Sequence, residues 1–178
     1  MDMRPNILIV PGLGNSGPQH WQTLWEQQHP AFLRVEQHDW EMPACRDWVA
    51  ALDEAVMRHE PAQVVLVAHS LACVAVAFWA NQHKRPIRAA MLVAPADSEA
   101  DGFPAGSTGF TPIPLAPLPF RSLVVASTTD PYITDVRARQ LAQAWGSDFV
   151  SIGAAGHINA DAGFGEWEEG LELLQRIS

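Results

Sequence analysis

Short runs of apolar residues recur along this chain of 178 residues, separated by longer stretches in which apolar positions return every three or four residues. Uninterrupted apolar runs of four or five residues are typical of strands buried on both faces of a parallel sheet. Apolar positions at helical spacing predict amphipathic helices that cover such a sheet. The pattern predicts six strands, at residues 7–10, 32–36, 64–67, 89–93, 122–126 and 149–152.

Five helices are predicted between and after these strands, and turn residues mark some of their ends. Pro18 suits the first turn of the first helix, where its missing N–H costs nothing. Pro61 stops the second helix, and Asp135 is expected to cap the fourth. One apolar face of the second helix is formed by Trp48, Leu52, Ala55 and Val56. The predicted helices are residues 20–28, 46–59, 71–82, 135–145 and 164–176.

Strands that alternate with helices predict a single α/β domain over residues 1–178, a mostly parallel sheet with helices on both faces and no separate lid domain. Right-handed crossovers then favour the strand order 2-1-3-4-5-6. The order reverses between strands 1 and 3, and ligands of open α/β sheets bind at such a switch point. The loop at residues 12–17 and the turn after strand 3 are therefore expected to border a site.

Six prolines in residues 95–120 exclude a helix there, so a long, stiff loop is predicted between strands 4 and 5. Loops of this length are usually functional or disordered. The aromatic and aliphatic residues of this loop favour packing over disorder. They are Phe103, Phe110, Ile113, Leu115 and Leu118.

The third strand turns into a helix across a single residue, Ser70. This is the pattern of a nucleophile elbow, in which the serine sits on a strained turn between small neighbours. The usual neighbours are glycines two positions before and after the serine; here they are Ala68 and Ala72, which should still allow the turn to close. The alternative interpretation is a serine that merely caps the helix.

A serine nucleophile needs a base and an acid that orients the base. His157 is the candidate base, because it follows the last strand in a loop of small residues. Asp130, just past strand 5 and fixed by Pro131, is the candidate acid; Asp97, past strand 4, is its rival. The chain order Ser70, Asp130, His157 is that of α/β-hydrolases. The other histidines fit less well, and His69 is expected to point away from Ser70.

An acyl-transfer site also needs backbone N–H groups that stabilise the oxyanion. The N–H of Leu71, at the start of the helix, is one expected donor. The second should come from the glycine-rich loop, from Leu13. Gly12, Trp40 and Asp97 are predicted to contact substrate, with Trp40 equally compatible with a place in the core.

Several motifs resemble those of the small, lidless α/β-hydrolase family that includes retinoblastoma-binding protein 9. The resemblance implies the α/β-hydrolase fold, a Ser70–Asp130–His157 triad and hydrolysis of esters or amides. The pocket-protein binding motif of the namesake, L-x-C-x-E, is incomplete here, because Ala75 stands in place of its glutamate. The motifs are Pro11-Gly12 with Asn15 and Ser16, His20-Trp21, and residues 68–72, 94–97, 130–132 and 156–159.

Two other functions are compatible with parts of the sequence. Residues 12–17 also spell G-x-G-x-x-G, and Glu36 or Asp39 could bind a ribose, as in a dinucleotide-binding protein. That interpretation leaves Ser70, Asp130 and His157 without a role, so no cofactor is predicted. The scattered histidines suggest no metal site. A non-catalytic binding module on the same fold is the third possibility.

The net charge of −9 argues against nucleic acids and anionic membranes as partners. No apolar run approaches the ~20 residues that a membrane span needs, and the N-terminus has no signal-peptide pattern. Two cysteines, Cys45 and Cys73, cannot form a disulfide framework, so a cytoplasmic location is predicted. The expected partner is a small ester or amide, and the oligomeric state stays open.

Overall fold

The computed structural model describes residues 5–178 and contains one six-stranded, wholly parallel sheet. Its strand order is β2-β1-β3-β4-β5-β6, which confirms the predicted topology. The switch point lies between β1 and β3, as expected. The strands are β1 (Asn6–Val10), β2 (Leu33–Arg34), β3 (Val64–His69), β4 (Ala89–Val93), β5 (Arg121–Ala126) and β6 (Asp148–Ser151).

In the described part of the chain, five α-helices cover the two faces of the sheet. One apolar core lies under α2, α3 and α4 and a second under α1 and α5, and alternate residues of each central strand enter one core or the other. These helices are α1 (Trp21–Gln28), α2 (Cys45–Met57), α3 (Leu71–His83), α4 (Asp135–Trp145) and α5 (Glu168–Ile177), with a 3₁₀ turn at Pro61–Gln63.

The ends of several elements differ from the sequence prediction. Helix α1 begins only at Trp21, after the N-cap His20, so Pro18 lies outside it. Thr134, rather than Asp135, caps α4, because its side-chain oxygen accepts the Arg137 N–H. Helix α5 begins at residue 168, four residues late, because the left-handed backbone of Trp167 (φ 43°) prevents an earlier start.

The edge strand β2 is also shorter than predicted. It pairs with β1 through only two residues, and one more hydrogen bond joins the Val35 N–H to the Ile9 carbonyl. The chain then turns away towards Trp40, whose carbonyl accepts the N–H of Gly14. An edge strand has a partner on one side only, so its length is set by that single pairing.

The long segment between β4 and β5 is packed, as its apolar residues predicted. Phe110 and Ile113 belong to the core under α2, α3 and α4. The hydroxyl of Ser98 donates to the Phe110 carbonyl at 2.7 Å, which joins two distant parts of the loop. Leu115 is an exception, since just over half of its surface (55%) is exposed.

Across residues 5–178, none of the helices is both long and apolar enough to span a lipid bilayer.

Candidate active site

Ser70 occupies the sharp turn between β3 and α3. Its backbone has φ 59° and ψ −126°, a conformation that costs a non-glycine residue about 1–3 kcal/mol. The Ser70 N–H donates to the Val93 carbonyl at the end of β4, which anchors the turn. The side chain makes no capping hydrogen bond to α3, so the simple helix-cap interpretation is wrong.

The Ser70 hydroxyl instead begins a chain of three side chains. Its Oγ lies 2.8 Å from Nε2 of His157, and Nδ1 of His157 lies 2.9 and 3.0 Å from the two carboxylate oxygens of Asp130. A carboxylate can only accept, so Nδ1 carries the ring proton and Nε2 accepts from the Ser70 hydroxyl. The structure therefore brings together the three residues that the sequence singled out as nucleophile, base and acid.

Backbone contacts between neighbouring loops hold His157 in this position. The N–H groups of Ala155 and Gly156 donate to the hydroxyls of Ser127 and Thr129, which follow β5. Because β5 and β6 are adjacent, these bonds align the Asp130 loop with the His157 loop. On the other side, the indole N–H of Trp21 donates to the Ile158 carbonyl at 2.8 Å.

Gly12 lies directly against the Ser70 turn. A Cβ at this position would lie 2.8 Å from the His69 carbonyl oxygen and 2.9 Å from the Ser70 Cβ. Such distances are too short, so only glycine permits this approach. The close contact brings Leu13 and Leu71 to the same cavity as Ser70. Within residues 5–178, the N–H groups of these two leucines have no hydrogen-bond acceptor and are free to bind an oxyanion.

Two polar side chains, the buried Gln22 and the partly buried Arg34, fix the glycine-rich loop. Gln22 accepts from the Ser16 hydroxyl and donates to the carbonyls of Val10 and Val67. The Arg34 guanidinium donates to the Asn15 side chain and the Ser16 carbonyl. The loop is thus tied to β1, β2 and β3 before any ligand binds.

These contacts argue against the dinucleotide-binding interpretation. A pyrophosphate site needs a helix whose free N-terminal N–H groups follow the glycine loop directly. Here α1 starts four residues after Gly17, and the His20 side chain already accepts the Gln22 N–H. Asp39, a candidate ribose ligand, instead accepts the N–H groups of Glu41 and Met42 in a turn.

The cavity beside Ser70 has a volume of about 230 Å³ and two chemically different walls. The loops after β4 and β5, including Phe103 of the long segment, form an apolar wall. The loops after β1, β3 and β6 form a polar wall. The apolar wall consists of Ala96, Phe103, Pro104 and Tyr132, and the polar wall carries the side chains of Asn15, His20, His69 and Asn159.

Two of the three residues predicted to contact substrate lie elsewhere. Gly12 lines the cavity, but Trp40 and Asp97 do not. Trp40 packs against Trp48 in the core, with ring centroids 5.7 Å apart. The Asp97 carboxylate lies 3.4 Å from Nε of Arg137 and also accepts the Glu99 N–H. Asp97 therefore contacts Arg137 and Glu99, and the carboxylate that contacts His157 is that of Asp130.

Sequence reasoning missed His20 and His69 as residues of the site. His69 does not point away into the protein: its ring packs on His157 with centroids 4.8 Å apart, and its Nε2–H donates to the His157 carbonyl at 2.9 Å. His20 packs on His69 at the same centroid distance. His20 is the N-cap of α1 and His69 precedes the nucleophile, and neither position by itself indicates a residue of the site. The pair His20-Trp21 is, however, one of the motifs that resemble the family.

Burial keeps both histidines neutral. Burial, the Arg34 charge and His157 together lower the pKa of His20 to about 4. Burial also holds the pKa of His69 well below its usual value, with smaller contributions from His20 and His157. Neither ring carries a charge near neutral pH, so the polar wall offers hydrogen bonds without a positive charge.

The low pKa of His20 predicts a loss of stability in mild acid. Between pH 6.5 and 4 the unfolded chain binds a proton at this residue that the folded chain does not. The free energy of unfolding is therefore unaffected by His20 above pH 6.5 and decreases as the pH falls below it. From pH 7 to pH 5 the contribution of His20 is about 2 kcal/mol. Urea unfolding of wild type and His20→Asn at both pH values measures it. An equal pH dependence in the two proteins would contradict the prediction.

Comparison with known proteins identifies the family of the chain. The family model described as Serine hydrolase matches residues 7–176. The chain belongs to this family. A search of the curated proteins found no match.

Solved structures extend the comparison to the whole fold of this serine hydrolase. A putative YdeN-like hydrolase from Pectobacterium atrosepticum is 35% identical, with a TM-score of 0.85 over 98% of this chain and 90% of the other. The ydeN gene product of Bacillus subtilis is 19% identical, with a TM-score of 0.77 over 97% and 98% of the two chains. Esterase 2 of Thermogutta terrifontis is 16% identical, with a TM-score of 0.73 over 97% and 82%. The last two share the fold.

Proposed function

We propose that this serine hydrolase cleaves an ester or amide bond of a small substrate through an acyl-enzyme intermediate on Ser70. The observation that carries the proposal is the continuous hydrogen-bonded chain from Ser70 through His157 to Asp130, with every distance between 2.8 and 3.0 Å. A strained turn that presents the serine at the switch point of the sheet supports the same assignment.

In the first step, Ser70 Oγ attacks the carbonyl carbon while its proton moves to Nε2 of His157. The imidazolium that forms is stabilised by Asp130, whose side chain is completely buried against the ring. His157 then gives the proton to the leaving alcohol or amine. Water, activated by the same nitrogen, releases the acid and restores Ser70.

The negative charge on the carbonyl oxygen needs two donors. The N–H groups of Leu13 and Leu71 are available for this role, and the positive end of α3 adds to the second. Losing one such donor typically raises the barrier by about 3–4 kcal/mol. The approach of Gly12 to the Ser70 turn supports this assignment, since it brings the two N–H groups to one place.

The size of the cavity favours a small substrate. A volume of about 230 Å³ lies below the range of roughly 300–1,000 Å³ that is typical of drug-sized ligands. The apolar wall suits a short hydrocarbon group. Since Cys45 and Cys73 are both free and buried, a reducing compartment such as the cytoplasm is part of the proposal.

We also propose that the chain lies in the branch of the family that includes retinoblastoma-binding protein 9, on the strength of the shared sequence motifs. Pocket-protein binding is not part of this proposal. Residues 71–75, which would carry that motif, are fully buried in α3, and Ala75 has replaced the glutamate.

Labelling with a fluorophosphonate probe tests the nucleophile. The native protein should form one adduct, located by peptide mass spectrometry on Ser70. Ser16 is the control serine of the glycine-rich loop; its hydroxyl is buried and donates to Gln22, so it should stay unmodified. An adduct on Ser16 or any other serine, with Ser70 free, would overturn the proposal.

A further inference from the structure

His20 has one ring nitrogen whose partner is known and one whose partner is missing. Nδ1 accepts the N–H of Gln22 at 3.2 Å, which caps helix α1. An acceptor carries no proton, so in the neutral ring the hydrogen is on Nε2. Because the pKa of His20 is about 4, the ring stays neutral at the near-neutral pH at which most hydrolases work. His20 is therefore a fixed donor.

The Nε2–H of His20 is buried and has no acceptor within residues 5–178. Only 7% of the residue is exposed. Buried polar groups are nearly always hydrogen-bonded, and an exception in a native structure calls for an explanation. His20 lines the cavity that holds Ser70, Leu13 and His157, so a bound molecule can supply the missing acceptor.

The position of His20 indicates where that acceptor would lie. His20 belongs to the polar wall, between the glycine-rich loop and Asn159 of the histidine loop, and packs on His69, which packs on His157. The opposite wall is apolar and contains Phe103 and Tyr132. A substrate that satisfies both walls has a hydrocarbon part on one side of the scissile carbonyl and an acceptor-bearing part on the other.

We propose that His20 is a specificity residue that selects substrates carrying an uncharged hydrogen-bond acceptor, such as an ether or carbonyl oxygen, within a few atoms of the scissile bond. The inference rests on the proposed function, because it assigns part of the substrate of the same site. Burying an anion is costly unless a positive charge compensates it, and the neutral His20 ring supplies none, so this buried donor suits an uncharged oxygen.

Two kinds of variant separate the donor from the helix cap. His20→Asn keeps a side-chain acceptor at the cap and loses the distant N–H. His20→Gln keeps an N–H at the distance of Nε2 and loses the preferred cap residue. His20→Ser, a second variant that keeps the cap, carries the same expectation as His20→Asn and replaces it if that variant does not fold. Thermal unfolding shows which variants are native.

Two pairs of esters test the two halves of the substrate. The acyl pair is p-nitrophenyl pentanoate and p-nitrophenyl 3-methoxypropanoate; the leaving-group pair is pentyl acetate and 2-ethoxyethyl acetate. Each pair differs by one CH₂ replaced by oxygen. The measured quantity is kcat/KM for the ether divided by kcat/KM for the hydrocarbon. Comparing this ratio between variants cancels the intrinsic reactivities.

In one of the two pairs we expect the ratio to fall about tenfold in His20→Asn and to stay within twofold of wild type in His20→Gln. The pair that responds identifies the half of the substrate that His20 contacts. The proposal would be overturned if His20→Asn left the ratio unchanged in both pairs. This includes the case in which kcat/KM falls equally for ether and hydrocarbon, which is the result expected of a purely structural residue.

The same measurements keep the two proposals apart. Hydrolysis of the hydrocarbon esters by wild type, and its loss in Ser70→Ala, test the proposed function alone. The change of ratio in His20→Asn tests the specificity residue alone, because a hydrolase without this preference would still turn over both members of each pair.

Discussion

Replacing Ser70 by alanine should lower kcat on an activated ester by about 10⁶-fold, to the rate that binding and oxyanion stabilisation alone support. The reason is that Ser70 Oγ is the atom that bonds to the substrate carbon. Loss of the hydroxyl leaves the His157–Asp130 pair intact, so the fold should not change.

Ser70→Gly is the matched control for the fold. Both variants lack the nucleophile, but glycine adopts φ 59° without the cost that alanine bears. We expect Ser70→Gly to be more stable than Ser70→Ala by about 1 kcal/mol in urea unfolding. Residual turnover above about 1% of wild type in either variant would show that another group is the nucleophile.

The order of the strands could be predicted because it depends on strong local signals. Residues 64–68 of β3 and all of β4 are apolar, and right-handed crossovers leave few topologies. The residues that close the turn were less predictable. The sequence pattern pointed to Ala68 and Ala72, but the structure also brings Gly12, 58 positions from Ser70 in the chain, into close contact with the turn.

Contacts between distant residues explain the remaining differences. That Asp97 pairs with Arg137 depends on how the long loop packs against α4, which no periodicity in the sequence shows. His69 enters the site because the loop after β6 folds back over the elbow and presents the His157 carbonyl to its ring. Side-chain partners of this kind follow from the finished fold, so they are found only when the fold is known.

Asp130→Asn should lower kcat by about 10⁴-fold. The Asp130 carboxylate accepts the Nδ1–H of His157 and so keeps Nε2 free to take the proton of Ser70. An asparagine that turns its NH₂ group to the ring donates to Nδ1, which moves the ring proton to Nε2. The base is then blocked, and its protonated form loses the neighbouring negative charge. KM should change little, because Asp130 does not line the cavity beside Ser70.

Asp97→Asn is the matched control, since it makes the same chemical change in the other carboxylate that follows a central strand. The substitution removes the negative charge of Asp97 beside Arg137, near the apolar wall, so we expect no more than a tenfold decrease in kcat/KM. Initial rates of both variants on one p-nitrophenyl ester, measured from pH 5 to 9, give the comparison. Wild type and Asp97→Asn should share one pH profile. If the larger loss falls on Asp97→Asn, the acid that orients His157 is not Asp130.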